Sequence, residues 1–362
     1  MVRARHTLCV EGRGWEGWEA LAVGRESRPS PPLAADDHSI LLENLIDPAH
    51  LPVSHHGLGT LDRAKAKPVP MRRREVDAAD PSSPTLDFDI ASVMSPLDSI
   101  DPTSRLSFHA PTHVRYRYRF GGARIASTCL YATPTSPGRA RVFLADAAYT
   151  DPDYVPGVAP KELPKPPISF GTKVKMIKLA LRFKFSPRFV AHWAQSFIFD
   201  SDGVLLHGQM RRLAASIARG VGWRKAYYVP SSCDRFVGAL RAWIDDVAGG
   251  GPQWVPGATP APTAPLARAV ALDRGAQHTA LCPVCQKGER QITLFRDALI
   301  VACVGACVAA AAAAGRGAAL AARNGPLPWL VAAAAAARLA AWAHLTLLPE
   351  FGFKDHVHAD ND

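Results

Sequence analysis

Two apolar runs near the C-terminus restrict this chain more than any other feature. Ala298 to Gly315 is eighteen residues without a charge, and Leu327 to Leu348 is a second run interrupted only by Arg338. Eighteen residues reach the lower end of the length needed to cross a bilayer as a helix. Half of them are Ala, which contributes little burial energy per residue. The runs therefore read either as a membrane hairpin or as a buried Ala-rich helical hairpin, with Arg316, Arg323 and Asn324 in the polar turn between them. A chain of 362 residues has ample length upstream for a folded domain with its own core.

That upstream part is organised around LLENLIDPAHLPVSHHGLGT, Leu41 to Thr60. It gathers Asn44, Asp47, His50, His55 and His56 among apolar residues, Pro and Gly. Two imidazoles with a carboxylate and an amide just upstream can hold a divalent transition metal and orient its ligands. Asp47 and His50, three apart, share a face of a helical turn. His50 and His55, five apart, share a face of neither helix nor strand, but Pro52 breaks the helix between them and lets both rings aim at one point. The alternative is a solvated His pair on a loop.

Two further stretches carry chemistry. FIFDSDGVLLHGQ, Phe197 to Gln209, offers Asp200 and Asp202. Without other information DSDG reads as a turn or an N-cap. Two His and one carboxylate on one face would leave iron(II) with open coordination positions, and the first motif lacks only the carboxylate. AQHTALCPVCQKG contains the pair Cys282 and Cys285, and C-x-x-C serves both redox centres and zinc sites. His278 lies close by, but no second ligand pair follows, which makes zinc the weaker choice.

The order Asn44, Asp47-x2-His50-x4-His55 resembles the mononuclear-iron motif of Rieske-type non-haem oxygenases. The flanking words ENLIDPAH, HHGLG and RAKAKP resemble the pheophorbide a oxygenase group of chloroplasts more narrowly, as do the C-x-x-C and the terminal F-x-F-K-D-x-V-H. This resemblance implies His50, His55 and Asp202 as the metal ligands of mononuclear Fe(II), with Asp200 as runner-up for the third position and His56 as a substitute for His55. It implies Asp47 as the catalytic carboxylate that bridges to a Rieske [2Fe–2S] cluster, and Asn44 as a neighbour of the iron. It implies Cys282 and Cys285 as a thioredoxin-sensitive redox pair.

The fold the family implies is α+β, a helix-grip domain (START or Bet v 1-like) in which an antiparallel sheet is wrapped on helices, followed by a two-helix membrane hairpin. The implied divisions are 1–38 as the remnant of, or linker from, a Rieske domain; 39–248 as the catalytic domain; 249–272 as a Pro/Gly-rich linker; 273–297 as the CxxC segment; 298–349 as two transmembrane helices; and 350–362 as the tail. Rieske clusters use C-x-H and C-x2-H, and neither pattern occurs in this sequence. The expectation is a chain that begins after the cluster-binding loops and depends on a partner for turnover.

The activity implied is a monooxygenase using O2 on a chlorophyll-derived tetrapyrrole, with ferredoxin as electron donor, a homo-trimeric assembly and a chloroplast membrane location with the catalytic domain on the stromal side. A non-catalytic, membrane-anchored tetrapyrrole-binding or import-associated protein is the alternative. The formal charge of +10 also suits nucleic acid, an anionic membrane or an acidic partner. Nucleic acid ranks last, because it explains neither the His/Asp pattern nor the apolar tail. Seven scattered Cys do not read as a secreted disulfide scaffold.

Remaining patterns are structural. VRYRYRF, Val114 to Phe120, alternates Arg115, Arg117 and Arg119 with Tyr116, Tyr118 and Phe120, and predicts a strand in an antiparallel meander. Cys129, in the strand that follows, reads as a small core residue. TKVKMIKLALRFKF predicts a basic amphipathic helix that either lies on a membrane or caps the sheet. Ser232 to Val247 carries Phe236, Leu240, Trp243 and Val247 at helical spacing and predicts a core helix.

Overall fold

The computed structural model describes residues 38–57, 61–66, 68–74, 85–90, 104–119, 124–150, 186–258, 264–315 and 325–355. The basic stretch around Lys173–Phe185 and the presumed Rieske remnant before residue 38 lie outside the described residues.

Six strands form one antiparallel sheet in sequence order: β1 (Met71–Arg73), β2 (Thr85–Ile90), β3 (Arg105–His109), β4 (His113–Arg119), β5 (Arg124–Ser136) and β6 (Arg139–Thr150). The meander follows from alternation. Leu106 pairs with Tyr116, Phe108 with Val114, and Val114 with Leu130, so apolar residues stack in rows on one face. The β5–β6 turn centres on Pro137 and Gly138. Gly138 has φ +69°, the left-handed value that the third residue of a proline-initiated tight turn requires.

Helix α1 (His38–Ile46) lies on this face with all its residues buried except Asn44. Its polar residues His38, Ser39 and Glu43 are buried with the apolar ones, because α1 is enclosed by β4, β5, β6 and two further helices. These are α2 (Arg188–Ala218), 31 residues long, and α3 (Arg235–Asp246). On α3, Phe236, Leu240 and Ile244 are buried and Trp243 packs at their edge, while Val247 lies past the helix end and is exposed. Phe236 stacks on Phe88 with ring centroids 4.2 Å apart. Tyr116 donates its hydroxyl hydrogen to the Leu45 carbonyl at 2.8 Å, tying sheet to α1. The architecture is α+β.

One buried polar network locks the three helices together. The Arg241 guanidinium on α3 donates to the Glu43 carboxylate on α1. Gln209 of α2 and the Tyr227 hydroxyl donate to the other Glu43 oxygen at 2.8 and 3.0 Å. A buried ion pair repays its desolvation only when the remaining hydrogen-bond capacity is used, and here it is. Glu43 precedes Asn44, and Gln209 lies two helical turns after Asp202, so the network fixes the two halves of the site relative to each other.

The alternate face of β4 is occupied by the sheet itself. Arg115 donates to Ser127 Oγ at 3.0 Å and to the Tyr149 hydroxyl at 2.7 Å. Arg72 and Arg74 pair with Asp87 and Asp89 across β1 and β2. Cys129 sits opposite Arg115, half-buried on this outer face, where the alternation of β5 carries it away from the core.

The C-terminal part is a helical hairpin of α4 (Pro283–Ala314) and α5 (Leu327–Trp342). Helix α4 begins at Pro283 rather than near residue 298, because proline suits a first helical position and nothing after it breaks the helix. The CxxC segment is therefore partly the start of this helix. Small residues make the contact between the two helices: Ala306, Ala310 and Ala313 on α4, and Ala333, Ala336 and Ala340 on α5, are buried. Ile300, Val301, Val304, Val308, Leu330 and Val331 point outward and are exposed. Both helical spans are long and apolar enough to cross a membrane, with mean hydropathy of 2.1 and 1.5 over their most apolar windows and only 17% and 22% of those windows buried.

Candidate metal centre

Asp47 ends the run of α1 and caps a short 3-10 turn, its carboxylate accepting the Ala49 N–H at 3.0 Å. That turn, Pro48–His50, delivers His50, and the one-turn helix Leu51–Ser54 rotates the chain from His50 to His55, with Pro48 and Pro52 in their first turns. His55 is buried and His50 half-buried. Their ring centroids are 5.4 Å apart.

Asp202 reaches the same point from the middle of α2. Its Oδ1 lies 3.3 Å from His55 Nε2 and its Oδ2 3.8 Å from His50 Nε2. One ligand atom from each of the three residues lies within 4.8 Å of the others.

The tautomers follow from partners. His50 Nδ1 faces the Asp47 carbonyl, which can only accept, so Nδ1 carries the hydrogen. Ser201 spends its hydroxyl hydrogen on the Ile198 carbonyl at 2.7 Å, so its Oγ accepts the His55 Nδ1–H at 2.8 Å. Both rings therefore turn a bare Nε2 toward the Asp202 carboxylate. His55 Nε2 is buried and makes no hydrogen bond. Two lone pairs and a carboxylate facing one another in a buried place are the donor set of a divalent cation, with each imidazole oriented by its second nitrogen. The residues fit a mononuclear metal of the two-His, one-carboxylate type.

Without a cation, the same contacts favour a proton on the imidazole that faces the carboxylate, the proton a metal would displace. Burial by itself would raise Asp202, but the imidazoles of His50 and then His55 outweigh it and hold the carboxyl well below the usual range. Burial would lower His50, yet Asp202 and then Asp47 raise it above the ordinary imidazole value. Burial raises Asp47, opposed by His50.

The other candidates are placed elsewhere. Asp200 is two residues and about 200° around the helix from Asp202. It accepts from Arg274 at 2.9 Å on the far side of α2. His56 Nδ1 takes the Arg63 N–H at 3.1 Å and lies 3.6 Å from Asp62, away from the centre. Asn44 Nδ2 approaches His50 Nε2 at 3.4 Å from the same side as Asp202.

A cavity of about 220 Å³ opens beside His50 and Asp202, between the sheet and α2. Tyr116, Tyr118, Leu130 and Phe199 line it, with Asn44 and Gln195 as polar groups. The sequence offered no sign that the tyrosine face of VRYRYRF borders the site. The position of β4 against α1 decides it.

Residues 108–218 match the sequence profile of the family described as pheophorbide a oxygenase. The chain is 26% identical over 338 residues to the chloroplastic pheophorbide a oxygenase of Oryza sativa subsp. japonica, covering 90% of this chain and 56% of that protein. It is 25% identical over 281 residues to the Arabidopsis thaliana counterpart, covering 74% of this chain and 46% of that protein. The chain is pheophorbide a oxygenase-like. It is also 27% identical over 263 residues to the chloroplastic flavonoid 8-hydroxylase 2 of Ocimum basilicum, covering 68% of this chain and 43% of that protein.

The chain is thus similar to proteins named as an oxygenase and a hydroxylase, and it spans about half the length of the curated relatives it matches. The profile-matched segment runs from the end of β3 to the end of α2 and includes Asp202.

A second set of possible ligands lies at the C-terminal end of the domain: His192, His278, Cys282 and Cys285. Two of them were evident in the sequence as the C-x-x-C. His192, in an ordinary amphipathic stretch of α2, carried no sequence signal.

Proposed function

We propose that this chain holds the mononuclear iron of a Rieske-type monooxygenase acting on a chlorophyll-derived tetrapyrrole at a chloroplast membrane. The convergence of His50, His55 and Asp202 on one buried point is the observation that carries this reading. Iron(II) bound there would supply open coordination positions at which dioxygen is activated.

The chain's own residues supply the rest. Asp47 and Ser201 hold protons on the outer nitrogens of the two imidazoles and so keep the inner nitrogens available. Asn44 directs an amide N–H into the space between His50 and the cavity, where it can orient a polar group of the substrate. Tyr116, Tyr118 and Phe199 give the cavity aromatic and apolar walls suited to a planar conjugated ring, and they exclude water from it. The apolar hairpin keeps the domain at a membrane, from which a lipophilic substrate can enter. The helix-grip arrangement, a curved sheet closed over long helices, accounts for a cavity between β4, β5 and α2.

The C-x-H and C-x2-H spacings of a Rieske cluster are absent from the sequence. Asp47, its side chain 31% exposed beside His50, is the residue that an electron-donating partner chain would approach. By resemblance that partner is a cluster-bearing subunit reduced by ferredoxin.

The cavity favours a second substrate class. Its 220 Å³ lies below the roughly 300–1,000 Å³ usual for small-molecule sites. A tetrapyrrole would enter by one edge, whereas a smaller polycyclic aromatic of the flavonoid kind would enter whole.

The test is anaerobic iron(II) loading of the purified chain, its His50→Ala and Asp202→Ala variants, and Asp200→Asn. One iron per chain is expected in the wild type and in Asp200→Asn, and none in the other two. Equal uptake by all four would remove the proposal. Titration of the loaded chain with pheophorbide a and with a flavone then separates the substrate classes by which one perturbs the iron spectrum.

A further inference from the structure

His192 comes from the second turn of α2, His278 from a short π-helical turn (Gly275–Thr279), and Cys282 and Cys285 from the start of α4. His192, His278 and Cys285 are buried, and Cys282 is half-buried. Their heteroatoms meet. His192 Nδ1 lies 3.2 Å from His278 Nε2 and 3.4 Å from each of Cys282 Sγ and Cys285 Sγ, and Cys285 Sγ lies 3.3 Å from His278 Nε2. All four ligand atoms are within 4.8 Å of one another.

Hydrogen bonds do not account for this arrangement. His192 Nδ1 has three close heteroatom neighbours, and a single ring nitrogen has one hydrogen or one lone pair to offer. A cation at the centre engages all four groups at once. For zinc, with bonds of about 2.3 Å to sulfur and about 2.0–2.1 Å to nitrogen, a tetrahedron has N···N edges of about 3.3–3.4 Å and S···N edges of about 3.6 Å. The measured edges fall within a few tenths of an ångström of these values. A two-iron cluster would place the cysteine pair and the histidine pair on different irons and set sulfur and nitrogen further apart. A mixed thiolate and imidazole set, buried and four-coordinate, suits a structural zinc ion, which keeps no open position.

We propose that His192, His278, Cys282 and Cys285 bind one zinc ion in a closed tetrahedral site that fastens the long site-bearing helix to the first apolar helix. His192 lies ten residues before Asp202 on α2, about 15 Å along the axis. The surroundings are built for the same junction. Arg274, fully buried, donates to Asp200 of α2 at 2.9 Å and to the Glu350 carbonyl at 2.7 Å. Gly288 lets α4 approach so closely that a Cβ there would lie 2.5 Å from Phe189 Cδ1. Thr279 donates to the Phe351 carbonyl at 2.6 Å. The zinc completes a clamp between the domain and both ends of the hairpin. Its thiols are ligands, so a dithiol–disulfide exchange of this pair first requires loss of the metal.

The experiment measures metal content and thiol reactivity of the purified full chain in detergent under reducing conditions, after exposure to zinc alone and removal of the excess. In His50→Ala, whose iron site can no longer take zinc in place of iron, one zinc per chain is expected, falling to background when Cys282→Ser or His278→Ala is added. The His50→Ala background separates the two sites. Wild-type chain loaded with cobalt(II) in place of zinc should show the intense visible bands of tetrahedral coordination and a thiolate-to-metal charge-transfer band, a readout that needs no variant. In zinc-loaded protein, Cys282 and Cys285 should resist a thiol reagent until a chelator is added. Absence of zinc from the wild type, immediate reaction of both thiols in the zinc-exposed chain, or iron with acid-labile sulfide at these residues would each overturn the proposal.

Discussion

Ser201→Ala tests whether the proton on His55 is placed for metal binding. Ser201 is fully buried, its hydroxyl hydrogen goes to Ile198, and its oxygen accepts from His55 Nδ1 at 2.8 Å. In the metal-free variant the His55 proton can move to Nε2 and donate to Asp202 Oδ1, 3.3 Å away, so no buried group is stranded. Alanine is also the better helix former. Stability without metal should therefore change little. Iron binding must return that proton to Nδ1, where it now has no acceptor. An unsatisfied buried donor costs about 1–3 kcal/mol. Iron(II) affinity should fall by about 10–100-fold, the range found when the partner orienting a metal-bound histidine is removed. The assay is anaerobic iron titration against a competing chelator, beside urea unfolding of the metal-free protein. An affinity within twofold of wild type would refute the tautomer argument. So would a loss of metal-free stability as large as the loss of affinity, since the serine would then act through packing.

Two other outcomes are expected. Arg241→Met removes the cation paired with the buried Glu43 carboxylate and should cost about 3–5 kcal/mol in urea unfolding, with part of the loss recovered in the double variant Glu43→Gln/Arg241→Met; a double-variant loss equal to the sum of the Arg241→Met and Glu43→Gln losses would mean that the pair is not coupled. In carbonate extraction of membranes the full chain should stay in the pellet and a chain ending at Pro265 should be released, because the exposed apolar faces of α4 and α5 lie beyond that point; release of both would return the hairpin to the soluble reading.

Local patterns were legible where a short stretch carries its own physics. Strict alternation in Val114–Arg119 specifies a strand, and the spacing of Phe236 and Leu240 specifies a helix facing the core. His50 and His55 stand out as a pair of imidazoles just after Asp47; Pro52, expected to break the helix between them, instead sits in the first turn of the helix Leu51–Ser54, where its missing N–H costs nothing. Val247 shows the limit of periodicity, since it continues the α3 pattern past the point where the helix ends.

Which carboxylate joins the two histidines could not be read from DSDG. Asp200 and Asp202 are chemically identical, and only the rotation of α2 against the sheet sends one toward His55 and the other toward Arg274. His192 is the clearer case, because it lies 86 residues from His278 and has no local mark. The sequence by itself determined the strands, the apolar hairpin and the histidine pair, because each depends on neighbours within a turn or two. The tertiary structure alone brought Asp202, and not Asp200, beside the two histidines and gathered the four-residue cluster. Those depend on where the packing of a 31-residue helix brings atoms that are far apart along the chain.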